Sequence, residues 1–386
     1  MKNLRARTEL YNIAISAFFV EFGTGMLMVL IPLYIQDLPA SMGVSLAIKS
    51  ALVFSVFGLF AAASYPVMGR LSDRLDSRKP FVLAGFAGFV VLAVACAEID
   101  TFEQLLIVRA AQGIMVGVMV PAILAMLAQV STQDSRGRSI GIYSTIRGIG
   151  PAVGPAAGGI IAGAWGYGAG FYACAALGLV SLLLVNSIVK ETHETQGRGI
   201  SKNRTDRTSD GEIKLFVYAT FTTMLAIMIV ATLLPVYELH LDASVGGLGI
   251  SLSAYFSARL LFQTPIGVLS DRFGKRNMVA AGLCTTALLL LGMAHVTSVT
   301  QLFALMFVAG ITSAAVNVPS LASGADLASP GMIGQQMSLF PMASAIGMVV
   351  GPMLGGIFAT QFGFASPFYL CAGLMVAVGV LIVRQR

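Results

Sequence analysis

The stretch GRLSDRLDSRKP, at residues 69–80, decides the fold class of this chain. Six of its twelve residues are charged, whereas only 11% of the whole chain is. It separates two runs without charge, VFSVFGLFAAASYPVM before it and FVLAGFAGFVVLAVACA after it. Because about 20 mainly apolar residues are enough for a helix to cross a bilayer, the stretch is predicted to be a short polar hairpin between two membrane helices.

The rest of the chain resembles these two runs in composition. Hydrophobic residues make up 56% of it, and a soluble globular protein would carry about 25% charged residues. Most of the surface is therefore expected to face lipid, and the predicted fold class is an all-α membrane protein. The first apolar run continues past Glu21 to Ile35, which favours a first membrane helix over a signal peptide. Twelve spans are predicted, at residues 11–35, 46–69, 81–97, 103–130, 140–163, 167–189, 214–239, 245–269, 277–295, 300–325, 335–360 and 364–383.

The basic residues indicate the orientation of these spans. If the N-terminus lies inside, 20 of the 24 Lys and Arg residues fall in segments on that side. Because Lys and Arg accumulate in cytoplasmic loops, we expect a multi-pass membrane protein with both termini in the cytoplasm. The net charge of +6 is then a signal of topology and not of nucleic-acid binding.

The chain also repeats itself. GVLSDRFGKRNM begins at Gly267, 198 residues after Gly69, and GPAAGG from Gly154 returns as GPMLGG from Gly351. Two similar bundles of six spans are therefore predicted at residues 1–190 and 214–386, joined by a polar cytoplasmic linker at 191–213. Parallel six-helix repeats are typical of transporters that hold their substrate between the halves.

These motifs resemble those of the major facilitator superfamily, and in particular of its twelve-helix drug:proton antiporters. The two hairpins resemble the loop motif, RAAQG at 109–113 resembles the helix-4 motif, and RGIGPAVGPAAGG at 147–159 resembles the helix-5 motif of exporters. The resemblance implies the major facilitator fold, with two pseudo-symmetric six-helix bundles, and export by alternating access. The first hairpin departs from the pattern, because Asp76 stands where the second has Gly274, so its turn geometry is expected to differ.

The resemblance further implies a cytoplasmic gate at the two hairpins. Asp73 would lock the two halves at the inner side when the transporter faces outward, and we expect it at a turn, where its carboxylate can accept backbone N–H bonds. The alternative is a solvated charge with no such role. The predicted gate comprises Gly69, Asp73, Arg74 and Arg78 in the first copy and Gly267, Asp271 and Arg272 in the second.

Ionisable residues inside the spans are candidates for proton coupling, because a charge in the bilayer is costly and usually marks a pathway or a pair. Glu21 lies in the middle of span 1, and Arg109 lies several residues inside span 4. We expect Glu21 to exchange protons or to contact a cationic substrate, since an apolar cavity disfavours the ionised carboxylate. The resemblance implies that Arg109, with Gln112 of the same motif, assists proton coupling. In the alternative, Glu21 and Arg109 form a buried pair that only holds spans 1 and 4 together.

Three more charged residues complete the candidate site. Arg147 directly precedes the helix-5 motif and Arg259 stands in span 8, where each could line the cavity, bind an anion or donate to backbone carbonyls. Glu238 is expected at the outer mouth, since span 7 ends there. The four cysteines and three histidines are scattered along the chain, so no metal site and no catalytic residue is predicted.

Span 5 carries a stripe of glycines at four-residue spacing, which lets helix backbones approach closely. The resemblance implies that this stripe seals the interface between the halves, and tight packing alone would explain the same residues. The motif comprises Gly150, Gly154, Pro155, Gly158 and Gly159.

The sequence therefore predicts a secondary active transporter and not an enzyme. Its activity would be proton-coupled efflux of small, amphipathic molecules by a monomer in the lipid bilayer of a bacterial inner membrane, with the proton gradient as driving force, no cofactor and no nucleic-acid partner. One alternative is a dedicated exporter of one metabolite, such as a sugar, an amino-acid derivative or a siderophore; an anionic cargo would suit the three Arg residues in spans. A second alternative is a non-transporting receptor or scaffold, which would have little reason to keep Glu21 and Arg109 in lipid.

Overall fold

The computed structural model describes residues 2–39, 43–74, 77–130, 136–189, 207–327, 336–337 and 339–384. Within these ranges the regular structure is α-helical, and eleven helices are long and apolar enough to cross a membrane. The predicted all-α membrane fold class is thus confirmed. The helices are α1 (Lys2–Tyr34), α2 (Leu46–Arg74), α3 (Lys79–Ala97), α4 (Phe102–Val130), α5 (Arg136–Ile188), α6 (Arg207–Thr232), α7 (Leu234–Leu241), α8 (Val245–Phe273), α9 (Lys275–Met293), α10 (Val299–Leu327), α11 (Leu339–Phe362) and α12 (Ser366–Arg384).

Helix α5 contains two predicted spans, because the chain reverses at Gly166. This residue has φ 83° and ψ 166°, a backbone conformation open to glycine and strained for other residues. Before Gly166 the contacts between α5 and α1 advance along both helices, and after it they run back along α1. The contacts are Phe22 with Gly154 and Met26 with Gly158 before the reversal, and Leu30 with Gly170 and Ser16 with Ser181 after it.

Predicted span 7 is divided between α6 and α7. The break lies at Leu233, two residues before Pro235. Proline has no backbone N–H and its ring displaces the carbonyl four residues earlier, so Pro235 opens α7 and cannot continue α6. Helix α6 itself begins at Arg207, inside the predicted linker, whose residues 191–206 lie outside the described ranges.

The internal repeat extends to features that the motifs do not contain. Gly363, which has φ 90°, ends α11 exactly one repeat of 197 residues after Gly166. One polar contact is also repeated at this offset. The Tyr172 hydroxyl donates to the Glu98 carboxylate in the first half, and Tyr369 forms a hydrogen bond with His295 at 2.7 Å in the second.

The internal contacts of the chain define two compact units, Met1–Gly43 with Val56–Gln196 and Ser244–Ser253, and Val44–Ser55 with Gly197–Ala243 and Ala254–Arg386. Each unit therefore includes a short segment from the other half of the sequence. In the first unit, the Ala156 N–H donates to Ser253 Oγ at 2.8 Å, which joins α5 to the start of α8. In the second, Ser55 Oγ donates to the Val349 carbonyl at 2.9 Å, which joins α2 to α11.

Candidate functional site

Three glycines bring α5 against α1 beside Glu21. A Cβ atom on Gly150 would lie 2.6 Å from the Phe22 nitrogen and 2.9 Å from Glu21 Cβ. One on Gly154 would lie 2.6 Å from the Phe22 carbonyl oxygen, and Gly158 packs on Met26 in the same way. Because backbone atoms cannot move aside as a flexible side chain can, this approach of two helices needs glycine. The stripe thus fixes the depth and rotation of α1 at Glu21.

The Glu21 side chain forms an ion pair with Arg147, one turn before Gly150. Arg147 Nε donates to Glu21 Oε1 at 2.6 Å. The glutamate side chain is 16% exposed and that of the arginine 45% exposed, so the pair is open to solvent from the arginine side. Tyr65 and Tyr143 lie within electrostatic reach of both members. The alternative in which Glu21 pairs with Arg109 is therefore wrong.

Arg109 lies in a second polar cluster, on α4. Its side chain is buried, and Nη1 donates to Gln112 Oε1 at 2.8 Å. The guanidinium stands 4.2 Å from the centre of the Phe57 ring, within the range of a cation–π contact. Gln112 Nε2 in turn donates to Cys96 Sγ at 3.6 Å. The three-residue spacing of Arg109 and Gln112 places both on one side of α4, as their shared motif requires.

A small cavity of about 20 Å³ borders this cluster. Its polar lining comes from Arg109, Gln112 and Thr24, and its apolar lining includes Phe57 and Phe89. This volume accommodates about one water molecule, whereas drug-sized ligands need roughly 300 Å³ or more. The Arg109 cluster can therefore hold a water, and its cavity is too small in this conformation to enclose cargo.

Arg259 and Glu238 belong to the second unit. Arg259 is half-buried at the middle of α8. Glu238 is half-buried in α7, and its carbonyl accepts the Ala243 N–H at 3.0 Å, just beyond the end of that helix. The sequence-predicted site thus divides into the Glu21–Arg147 pair, the Arg109–Gln112 cluster and these two separate residues.

Six of the seven predicted gate residues lie on helices, Arg78 directly precedes α3, and the expectation that Asp73 sits at a turn is wrong. Helix α2 continues to Arg74, so Asp73 is in its last turn. A helix can leave the bilayer and continue with polar residues, because its backbone bonds are made within the segment. The side chains of Gly69, Asp73 and Arg74, and the whole of Asp76, lie outside the described part of the structure.

The second copy of the motif is described in full. Asp271 and Arg272 are exposed in the last turns of α8, and Gly267 lies half-buried one turn earlier. Gly274 adopts φ 88° between α8 and α9, which agrees with its predicted role in a tight turn. In the first copy, Arg78, which aligns with Arg276 of the second, is buried directly before α3.

Two ion pairs near this second hairpin were not predicted from the sequence. Lys275 Nζ lies 2.5 Å from Asp326 Oδ2, and Arg276 Nη2 lies 2.6 Å from Glu212 Oε2. They tie the start of α9 to the end of α10 and to the start of α6. Because these partners are 51 and 64 residues away in sequence, spacing along the chain gave no signal of them.

The remaining members of the helix-5 motif face α8. A Cβ on Gly159 would lie 2.6 Å from the Val245 carbonyl oxygen, and one on Gly249 would lie 2.3 Å from the Pro155 carbonyl oxygen. The second unit repeats this double contact with α11. There Gly347, Gly351 and Gly355 pack on α6, and Gly356 packs on Ala47 and Ala51 of α2.

Comparison with known proteins identifies relatives over almost the whole chain. The family model described as "Major Facilitator Superfamily" matches residues 13–237 and again residues 215–386. The multidrug resistance protein MdtG of Proteus mirabilis is 27% identical over 97% of this chain and 94% of its own length. The protein of the same name from Escherichia coli O9:H4 is 27% identical over 94% of this chain and 90% of its own length.

Solved structures share the fold at low sequence identity. A peptide transporter POT in complex with sulfate superposes with a TM-score of 0.76 at 14% identity, over 97% of this chain and 93% of that one. A bacterial homolog of the human lysosomal transporter Spinster, in an inward-facing and unoccupied conformation, gives a TM-score of 0.71 at 17% identity, over 98% and 95%.

Proposed function

Since the chain belongs to the Major Facilitator Superfamily, we propose that it is a secondary active transporter that exports small amphipathic molecules in exchange for protons. The full-length similarity to two proteins named for multidrug resistance supports export of such molecules. The similarity to bacterial proteins supports an inner-membrane location, and the basic residues support a cytoplasmic position of both termini. In that orientation, protons moving inward drive cargo outward, and the chain works as a monomer by alternating access.

The ion pair between Glu21 and Arg147 carries this proposal. It joins α1 to α5 inside segments long and apolar enough to cross a membrane. A charged side chain there costs about 2.5–3.5 kcal/mol on insertion scales, so it usually serves a pathway or a pair. Here the pair is partly open to solvent, which lets a proton reach the carboxylate.

Protonation of Glu21 would change what this pair can do. The neutral carboxyl group keeps an oxygen that accepts from Arg147 Nε, but it loses the Coulombic attraction between the two charges. Because the glycine stripe holds the two backbones together without the pair, the change acts on the side chains and not on the packing of α1 against α5. Proton occupancy can then bias the transporter between two conformations that differ in this interaction.

Arg109 has a supporting role in the same proposal. Its buried guanidinium, held by Gln112 and Phe57, is a fixed positive charge beside a cavity with room for about one water. Such a charge favours the deprotonated form of nearby acids and impedes passage of free protons. This arrangement suits a residue that limits proton leakage during exchange.

The experiment is transport by the purified chain reconstituted into liposomes with an imposed pH gradient. A panel of amphipathic dyes serves as cargo, and wild type is compared with Glu21→Gln, which preserves the shape and the acceptor oxygen. We expect the pH gradient to drive dye flux in wild type and not in Glu21→Gln, while dye exchange without a gradient continues. Glu98→Gln, which neutralises an exposed acid at the end of α3, is the matched control and should behave as wild type. Gradient-driven flux in Glu21→Gln would exclude Glu21 as the coupling group, and absence of any flux in wild type would favour a receptor or scaffold.

A further inference from the structure

Arg259 lies at the depth where a charge in a membrane protein is most costly. It is the middle residue of α8, with 14 residues on either side. At 1.5 Å per residue, each end of the helix is about 21 Å away, whereas half the hydrocarbon core of a bilayer is about 15 Å. Arg259 therefore lies near the bilayer midplane, beyond the reach of lipid headgroups.

The Arg259 side chain has no partner in the described part of the chain. Neither Arg259 nor Gln263, one turn later on α8, forms a hydrogen bond or an ion pair with any described residue. The other arginines within spans do have partners, since Arg147 binds Glu21 and Arg109 binds Gln112. Arg259 and Gln263 are both half-buried, so they are neither free in solvent nor enclosed in the core.

The acids of the second unit do not neutralise Arg259, because they lie near helix ends. Asp326 is bound to Lys275 and Glu212 to Arg276. Asp271 is twelve residues along α8 from Arg259, about 18 Å at the helical rise. Glu238 and Asp242 lie in the last turn of α7 and directly after it, and Asp210 lies in the first turn of α6.

The side of α8 that carries Arg259 faces away from the lipid. Leu261 and Val268 are exposed apolar residues of α8, 67% and 56% accessible, as expected of a surface against acyl chains. At 100° per residue, Arg259 points about 160–180° away from both. Gln263 lies about 40° from Arg259, so both groups are presented on the same inward side.

Polar groups of α8 and α10 bond to one another and not to Arg259. The Tyr255 hydroxyl donates to Ser313 Oγ at 2.9 Å, and Asn317 Nδ2 donates to the Ser313 carbonyl at 2.9 Å. These bonds fix Tyr255 one turn before Arg259. The donors of the Arg259 guanidinium form no hydrogen bond with described residues.

We propose that Arg259, assisted by Gln263, binds the acidic group of the exported molecule, so that the cargo includes amphipathic organic acids with a carboxylate, phosphonate or sulfonate. Guanidinium matches such groups with two parallel hydrogen bonds, and the Gln263 amide can donate a third. This inference rests on the proposed export function and specifies the chemical class of its substrates.

Binding to the purified full chain in detergent tests the assignment. The probes are naphthaleneacetate and its neutral amide, hexylphosphonate and its neutral diethyl ester, and inorganic phosphate, followed by the rise in melting temperature with concentration. We expect each organic acid to bind wild type more tightly than its neutral partner, and this preference to fall roughly 10- to 100-fold in Arg259→Gln. Arg259→Lys, which keeps the charge and loses the planar fork, should retain part of the preference. Arg384→Gln, which removes one exposed positive charge from the end of α12, is the matched control and should retain all of it.

The outcomes separate this inference from the proposed function. Equal binding of acids and neutral partners, an unchanged preference in Arg259→Gln, binding of inorganic phosphate alone, or no binding of any acid overturns the inference. If a pH gradient drives ethidium flux while the acid preference is absent, the export function stands and Arg259 is not its anion site. If the acid preference is present but a pH gradient drives no flux of any probe, the binding site stands and the export function fails.

Discussion

Gly154 of α5 and Gly25 of α1 face each other with no side chain between them. A Cβ on Gly154 would lie 2.8 Å from the Gly25 Cα, and a Cβ on Gly25 would lie 3.2 Å from the Gly154 Cα. The two backbones are therefore in reciprocal contact at this point. Because Glu21 is one turn before Gly25, this approach also determines how α1 presents its carboxylate to Arg147.

Gly154→Ala should damage the protein severely. The added methyl would meet the Phe22 carbonyl oxygen at 2.6 Å as well as Gly25, and overpacking of this kind costs about 1–3 kcal/mol. We expect a lower melting temperature in detergent and loss of transport. Gly163→Ala in the same helix meets no atom within 4 Å and should be neutral or slightly stabilising. Equal melting temperatures for the two variants would contradict the packing described.

Gly166→Ala should destabilise the protein for a different reason. No atom lies within 4 Å of its would-be Cβ, so the cost comes from the backbone conformation alone, at φ 83° and ψ 166°. Such conformations cost a residue other than glycine about 1–3 kcal/mol. Gly168→Ala, two residues later and also in open space, is the matched control. A melting temperature for Gly166→Ala at or above that of Gly168→Ala would show that the reversal does not depend on glycine.

The Glu21–Arg147 pair should appear as coupling between two substitutions. Glu21→Gln and Arg147→Gln each leave one charge without its opposite, whereas the double variant removes both. Because Arg147 is 45% exposed, solvent screens the pair and we expect its coupling energy to be about 1 kcal/mol or less. The double variant should therefore lower the melting temperature by less than the sum of the two single changes. Strict additivity would mean that the two side chains do not interact in the membrane.

Thiol labelling tests the proposed topology. Three native cysteines are buried and Cys284 is exposed, so Cys284→Ser gives a background of low reactivity. In this Cys284→Ser background, Ser201→Cys in the linker at 191–213 should react with a membrane-impermeant maleimide only in everted vesicles. Asp100→Cys, which replaces an exposed residue between α3 and α4, should react only in intact cells. The reverse pattern would invert the orientation and with it the direction of proton-driven flux.

The sequence predicted the spans and the repeat well, because both can be recognised from the order of residue types alone. Apolar runs and matching motifs at an offset of about 197 residues need no knowledge of packing. Even α5, whose reversal takes a single residue, was divided correctly between residues 163 and 167 by the flanking apolar runs. The break before α7 was missed, although Pro235 was available as its signal.

The partner of Glu21 could not be predicted in the same way. Only Arg109 was considered as its partner from the sequence, whereas the partner is Arg147. The choice depends on how α1, α4 and α5 are rotated about their axes. That rotation is set by the glycine stripe. The spacing of its glycines is visible in the sequence, but the sequence does not show that the stripe packs against α1. The helical position of Asp73 was missed because polar residues can continue a helix beyond the membrane without a stop signal.

The single-residue reversal at Gly166 has a consequence for how the protein is made. A conventional pair of membrane helices is joined by a loop that can wait in water while the second helix is still being synthesised. Here the last residues of one arm lead directly into the first residues of the next, so no such waiting segment exists. The two arms of α5 are synthesised one after the other, but we expect them to enter the bilayer together, as one preformed hairpin.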